Sequence, residues 1–250
     1  MKRGVGPDWL IARPVAHRGL HDGKQAIENT PSAFVAAMAS GYAIECDLQI
    51  TSDGEAMVYH DDALGRLAEG SGRLDAMTAA QLKRVPFKSG SDRMITLGEL
   101  CDLVSGRSTL VIELKSRFDG DRRLVARAAD VLSRYRGPAA VMSFDPLQMA
   151  ALREIASRML LGIVGERYPD ASRQQGAWNR ARRDLVYIQR LLRMRPQFIA
   201  YAVSDLPSST IAVARKLLRL PILAWTVRNA MEREKAGQYA DQVIFEGFRP

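Results

Sequence analysis

Glu45 and Asp47 stand two residues apart in the stretch "AIECDLQITSDGEAMVYHDD", residues 43–62, whose two halves otherwise alternate like strands bound for a core. Residues i and i+2 of a strand point to the same side, so the two carboxylates aim together while Cys46 faces away. At the end of a buried strand they repel each other and lose hydration unless something cationic lies between them. A second pair with this spacing, Glu113 and Lys115, lies in "TLVIELKS". Glu45, Asp47 and Glu113 together make an all-oxygen set suited to one hard divalent cation, Mg²⁺ or Ca²⁺, and poor for zinc.

Arg18 and Lys115 add positive charge, which would be wasted on a site meant only for a cation. An anion is therefore expected there too: a metal with Arg and Lys is how proteins hold phosphoryl oxygens and neutralise charge developing on them. Of the three histidines, His17 and His60 end strand candidates, and His21 follows the first in a loop. Two histidines flanking a phosphate supply a general base and a general acid near neutral pH. Each part has a plainer reading alone. A strand-end histidine is often structural, and Glu113 with Lys115 would serve as an ion pair in a barrel mouth. The conjunction argues otherwise, because four successive strand candidates carry such groups at the same end.

The elements that must position these residues are short β-branched runs alternating with helical patterns. Strand candidates are 14–19, 43–50, 56–60, 109–116, 139–144, 159–165, 198–203, 222–227 and 242–246. Thr30-Pro31 and Asp145-Pro146 place a capping residue before proline at helix starts. Strands alternating with helices imply a parallel sheet with helices outside it, and in an α/β barrel functional groups lie at the C-terminal strand ends. Nine candidates are one too many for a barrel of eight. The excess falls at 43–60, where "TSDGEA" is shorter than the dozen or more residues of a parallel crossover and Asp53-Gly54 is a hairpin-type turn signal. The segment either crosses without a helix or makes an excursion at the rim. One domain over 1–250 is expected, with a short insertion and rim segment at about 61–108 after the third strand, its irregular part at 61–96.

The 250 residues are 47% hydrophobic and 26% charged, the balance of a folded chain rather than a disordered one. No window reaches the roughly 18 apolar residues of a membrane-spanning helix, and the basic start lacks an apolar h-region, so a cytoplasmic location is expected. Cys46 and Cys101 form no CxxC pair and read as reduced, buried thiols. The net charge of +8 is concentrated in 173–195, where seven arginines accompany one acid. Trp178, Ala181, Leu185, Ile188 and Leu192 recur there at helical spacing, leaving the arginines on the other faces. That segment reads first as a solvated helix face and second as a weak contact with an anionic membrane surface. Nucleic acid is not an expected partner, since the charge is local and no reading motif is present. The sequence fixes no oligomeric state.

The strings "AHRG", "IENTPSAF", "IECDLQITSDGEAMVYHDD", "TLGEL", "IELKS" and "WTVRN" resemble, in order and spacing, the glycerophosphodiester phosphodiesterase family from about residue 14 onward. The resemblance implies a TIM (β/α)8 barrel that hydrolyses a glycerophosphodiester to glycerol 3-phosphate and an alcohol with a divalent metal. It implies His17 and His60 as the catalytic acid/base pair, Glu45, Asp47 and Glu113 as metal ligands, and Arg18 and Lys115 as phosphate contacts. Glu28 and Asn29 match the family's E-N-T and would support the site, and Trp225 would wall the pocket. Two departures stand out. Ile27 replaces the usual proline before E-N-T, a change in loop stiffness expected to be mild. Near the end, "DQVIFEGFRP" offers Glu246 where the family reads like D-G-I-I-T-D-x-P, which puts the polar contribution of the last strand in doubt. The rival readings are cleavage of lysophospholipids at a membrane surface by the same chemistry, and a catalytically silent phosphate-binding barrel.

Overall fold

The computed structural model describes residues 7–24, 26–166 and 195–250. Eight parallel strands close into a barrel: β1 (Val15–Ala16), β2 (Ala43–Ile50), β4 (Leu110–Leu114), β5 (Ala139–Ser143), β6 (Leu160–Gly165), β7 (Phe198–Ala202), β8 (Ile222–Val227) and β9 (Gln242–Phe245). Closure runs through β1, whose Val15 pairs with Ala43 on one side and Ile244 on the other. The ninth strand, β3 (Ala56–Val58), runs antiparallel to the end of β2, with Leu48 opposite Val58 and Ile50 opposite Ala56. The choice that the sequence left open at 43–60 is thus resolved as a hairpin: Asp53-Gly54 turns the chain back, and β3 lies outside the barrel ring.

Strand alternation builds two cores from the same strands. Ile44, Cys46 and Leu48 of β2, with Leu110, Ile112 and Leu114 of β4, face the surrounding helices. Among these helices are α2 (Pro31–Ala39), α4 (Leu97–Val104), α5 (Arg123–Arg134) and α6 (Pro146–Ile155). Their starts are fixed by local chemistry: proline opens α2 and α6, the Asp145 side chain accepts from Leu147 N, and Thr96 with Glu99 forms a capping box on α4. The inward positions are apolar at the barrel floor, where Val15, Ala43, Val111, Phe198, Leu223 and Ile244 pack with Leu10. Leu10 comes from the single-turn α1 (Asp8–Ile11) and is fully buried, which contributes about 1.5–3 kcal/mol. Gly162 on β6 leaves the space that the Phe198 ring fills, since a Cβ there would stand 2.3 Å from it.

The segment between β3 and α4 has a small core of its own. Met57, Tyr59, Leu64, Ala68, Leu74, Leu82, Phe87 and Met94 pack together, joined by Ile27 from the loop after β1. The short α3 (Ala79–Leu82) within it is closed by a Thr78–Gln81 capping box. Ile27 is 3% exposed, so its departure from the usual proline is a packing contact that ties the loop after β1 to this segment, rather than a matter of loop stiffness alone.

Candidate active site

Above the apolar floor the same inward positions become charged. Parallel pairing of β2 with β4 sets Asp47 beside Glu113, and Glu45 lies two residues below Asp47 on the same side. Glu45 and Asp47 are at most 1% exposed and Glu113 is buried; each offers one oxygen within 4.8 Å of the others, an arrangement able to hold a metal ion. Lys115, just past β4, places its ammonium 2.8 Å from Asp47 Oδ1 and 2.6 Å from Glu113 Oε1.

The turn after β1 supplies the rest of this wall. Arg18 and Asn29 both adopt left-handed backbone, φ 57° and 58°, an uncommon conformation for residues other than glycine. Gly19, at φ 83°, passes so close to Ala33 that a Cβ would lie 2.8 Å from that residue. This tight path brings the Arg18 amide to Glu45 Oε2 at 2.8 Å and its guanidinium Nε to 3.2 Å from Asp47 Oδ2. Asn29 grips Asp47 twice: its Nδ2 donates to Oδ2 at 2.8 Å and its Oδ1 accepts from the Asp47 amide at 3.2 Å. Arg18 Nη1 also donates to Glu28 Oε1 at 2.7 Å.

The two histidines are held alike. His17 Nδ1 lies 2.8 Å from Glu246 Oε2 and its Nε2 lies 4.0 Å from Glu45 Oε2. His60 Nδ1 lies 2.7 Å from Asp61 Oδ1, and its backbone carbonyl accepts from Gln49 Nε2 at 2.8 Å. A carboxylate on Nδ1 fixes the tautomer with the proton there and leaves Nε2 to exchange one. Sequence reasoning had doubted the polar role of the last strand; Glu246 stands just beyond β9 as the direct partner of His17, and also lies 3.4 Å from Arg228. Its signal was positional: an acid at the C-terminal end of a barrel strand. Asp61 stands out in the sequence beside His60 at a strand end but carries no role there, and Arg66 has no sequence signal. Trp225 stands on the facing wall, near the top of β8, its ring edge-on to Phe144 at 5.5 Å.

The charge balance explains the titration of the cluster. Burying carboxylates costs several kcal/mol per ion unless compensated. Burial pushes Glu45 well above the usual carboxylate range, and the charges of Asp47 and Glu113 push the same way. Burial also lifts Glu113, to about 7 despite the opposing Lys115. For Asp47 the burial effect is outweighed by Lys115 and Arg18, which hold it low. Three acids with two cations leave the wall short of positive charge, and Glu45 Oε1 accepts no hydrogen bond. An oxygen-ligated divalent cation fits this deficit. Burial lowers both histidines, opposed at His17 by Glu246 and at His60 by Asp47 and Asp61. Hydrogen bonding to His17 brings Glu246 down to about 2.

Thus Arg18, Glu28, Asn29, Glu45, Asp47, Glu113 and Lys115 form one bonded wall, His17 stands beside it on Glu246, His60 joins it through Asp61 and Arg66, and Trp225 faces it. The Arg-rich stretch 173–195 lies outside the described residues except for Arg195. Among the described residues no helix is long and apolar enough to cross a membrane.

Comparison with known proteins agrees with this architecture. In Oleispira antarctica, the structure of a phosphodiesterase in complex with the product sn-glycerol-3-phosphate has a TM-score of 0.77 at 21% identity, covering 93% of this chain and 91% of that one. A glycerophosphoryl diester phosphodiesterase structure from Silicibacter pomeroyi, described there as putative, gives 0.76 at 24% identity over 93% and 89%. In sequence, a glycerophosphodiester phosphodiesterase of Caldanaerobacter subterraneus subsp. tengcongensis is 29% identical over 161 residues, 60% of this chain and 65% of the relative. A protein of Mycobacterium tuberculosis named probable glycerophosphodiester phosphodiesterase 1 is 32% identical over 102 residues, 36% of each chain. The chain therefore spans less than two thirds of the length of these two relatives. The profile of the Glycerophosphoryl diester phosphodiesterase family matches residues 17–245, nearly the whole chain, and the chain belongs to that family.

Proposed function

We propose that the protein hydrolyses glycerophosphodiesters to glycerol 3-phosphate and an alcohol, using one divalent cation, Mg²⁺ or Ca²⁺, held by Glu45, Asp47 and Glu113. The observation that carries this reading is the meeting of a buried carboxylate triad with Arg18 and Lys115, which makes sense for a bound cation and a phosphate together. When bound, the cation would neutralise phosphate charge and polarise the phosphoryl group toward attack. Arg18 and Lys115 bind the phosphate oxygens and stabilise the charge that grows on them. One of His17 and His60 takes the proton of the attacking oxygen at Nε2, and the other gives a proton to the departing alkoxide. The attacking oxygen is water or the neighbouring glycerol hydroxyl; in the second case water then opens the cyclic phosphate. Either way one P–O bond forms, the P–O bond to the alcohol breaks, and the alcohol leaves protonated.

Glu246 and Asp61 steady each imidazolium as it forms, much as a buried acid orients a catalytic histidine elsewhere. Glu28 and Asn29 hold Arg18 and Asp47 in place, and Trp225 with Phe144 walls the side away from the charges. The insertion serves this one catalytic unit rather than forming a second domain. A cytoplasmic setting belongs to the same proposal, in keeping with two free, buried cysteines.

The test is release of glycerol 3-phosphate from glycerophosphocholine and glycerophosphoethanolamine with Mg²⁺, Ca²⁺ or EDTA, beside Glu45→Ala. Cation-dependent release abolished by the substitution is expected. No release with either cation would remove this substrate class and turn attention to lysophospholipids.

A further inference from the structure

We propose that Arg66, on the segment between β3 and α3, is a positioning residue that locks His60 and Arg18 into one frame. Its guanidinium donates to two carboxylates at once. Nε and Nη2 reach Asp61 Oδ2 and Oδ1 at 2.7 and 3.1 Å, and Nη2 and Nη1 reach Glu28 Oε1 and Oε2 at 2.6 and 3.1 Å. Each carboxylate has a second client in the site. Asp61 Oδ1 lies 2.7 Å from His60 Nδ1, and Glu28 Oε1 accepts from Arg18 Nη1 at 2.7 Å. The chain His60–Asp61–Arg66–Glu28–Arg18 is therefore continuous, and Arg66 is its central link.

An exposed ion pair alone contributes little, and the Arg66 side chain is 46% exposed. Three features set this one apart. Its fork meets both carboxylates through two bonds each, a geometry that the point charge of lysine cannot reproduce. The carboxylates it grips are largely buried, Glu28 at 11% and Asp61 at 22% exposed. The loop carrying it is braced: Leu64 and Ala68 on either side belong to the small core, Leu64 N donates to Gly72 O, and Gly65 N donates to Ala68 O. Both faces of the fork are committed to protein carboxylates, so Arg66 acts through its neighbours and not on substrate. The insertion thereby contributes to the site's geometry.

The inference rests on the roles proposed above for His60 and Arg18. Its test compares kcat and KM of the full chain, Arg66→Ala and Arg66→Lys on glycerophosphocholine with saturating Mg²⁺, together with the Asp61→Asn and Arg66→Ala/Asp61→Asn variants. The expected result is a kcat about 10–100-fold lower for Arg66→Ala. Arg66→Lys should recover little, added guanidinium should restore part of kcat to Arg66→Ala, and the double variant should lose little beyond Asp61→Asn alone. Wild-type kcat in either Arg66 variant, or losses that multiply fully in the double variant, would overturn the positioning role. An inactive wild-type chain would instead sink the reaction assignment, and this inference with it.

Discussion

The two halves of the barrel mouth are built from the same strand alternation and carry opposite chemistry. On the arc from β9 through β1 and β2 to β4, the inward or strand-end side chains are Glu246, His17, Glu45, Asp47, Glu113 and Lys115. On the arc from β5 to β8, Met142, Val164, Ala200 and Trp225 pack with the apolar floor, and Glu166 just past β6, raised by burial, is an acid that stands apart from the cluster. The fold is close to radially symmetric and the sequence is not. Concentrating charge on adjacent strands brings Lys115 and Arg18 within a few ångströms of Asp47 and Lys115 within reach of Glu113, and leaves Glu45 without a cationic side chain of its own. The charged arc should accordingly govern the rate of the chemical step, and the apolar arc the hold on substrate.

The largest test of that division is His17→Ala or His60→Ala, expected to lower kcat by about 10²–10⁴ with KM changed little. Near-normal kcat in either variant would break the comparison at its centre. Glu246→Gln keeps the shape at Nδ1 of His17 and removes the charge; steady-state kinetics should give a kcat roughly 10–100-fold lower. On the opposite wall, Trp225→Ala should raise KM by up to about tenfold with kcat nearly retained, because it removes contact made equally in ground and transition states. A kcat effect as large as that of Glu246→Gln would dissolve the division of labour.

The smallest effect is thermodynamic. Glu113 is raised to about 7 and Glu45 is raised as well, so between the ordinary carboxylate value and about 7 these two groups hold more protons in the folded protein than in the unfolded chain, while the lowered His17 and His60 hold fewer. The contribution of Glu45 and Glu113 to the stability of the cation-free protein then falls as pH rises through that window. A divalent cation takes the place of those protons. Mg²⁺ or Ca²⁺ should raise Tm by about 3 °C or more near pH 7.5 and by less near pH 5, measured by thermal unfolding. An equal shift at both values would remove the triad as the origin.

What the sequence conveyed and what it withheld follow from distance along the chain. The i, i+2 pairs Glu45/Asp47 and Glu113/Lys115 carry their direction in local spacing, and pairing neighbouring parallel strands brings them together. The position of β3 was ambiguous because a short turn satisfies either a hairpin or a bare crossover, and only the antiparallel register with Leu48 and Ile50 separates them. The His17–Glu246 contact joins residues 229 positions apart, and it exists only because β9 closes the barrel against β1. Ile27 looked like a loop residue, and only the fold reveals the small core that receives it.

The packed floor has a kinetic consequence. With Leu10, Phe198 and their neighbours filling the lower barrel, the described residues close the site at its floor. On the proposed reaction, substrate would enter and both products would depart on the side away from that floor. If Arg18 and Lys115 grip the phosphate above that floor as proposed, the alcohol, held toward the rim, would clear first, and glycerol 3-phosphate would leave last.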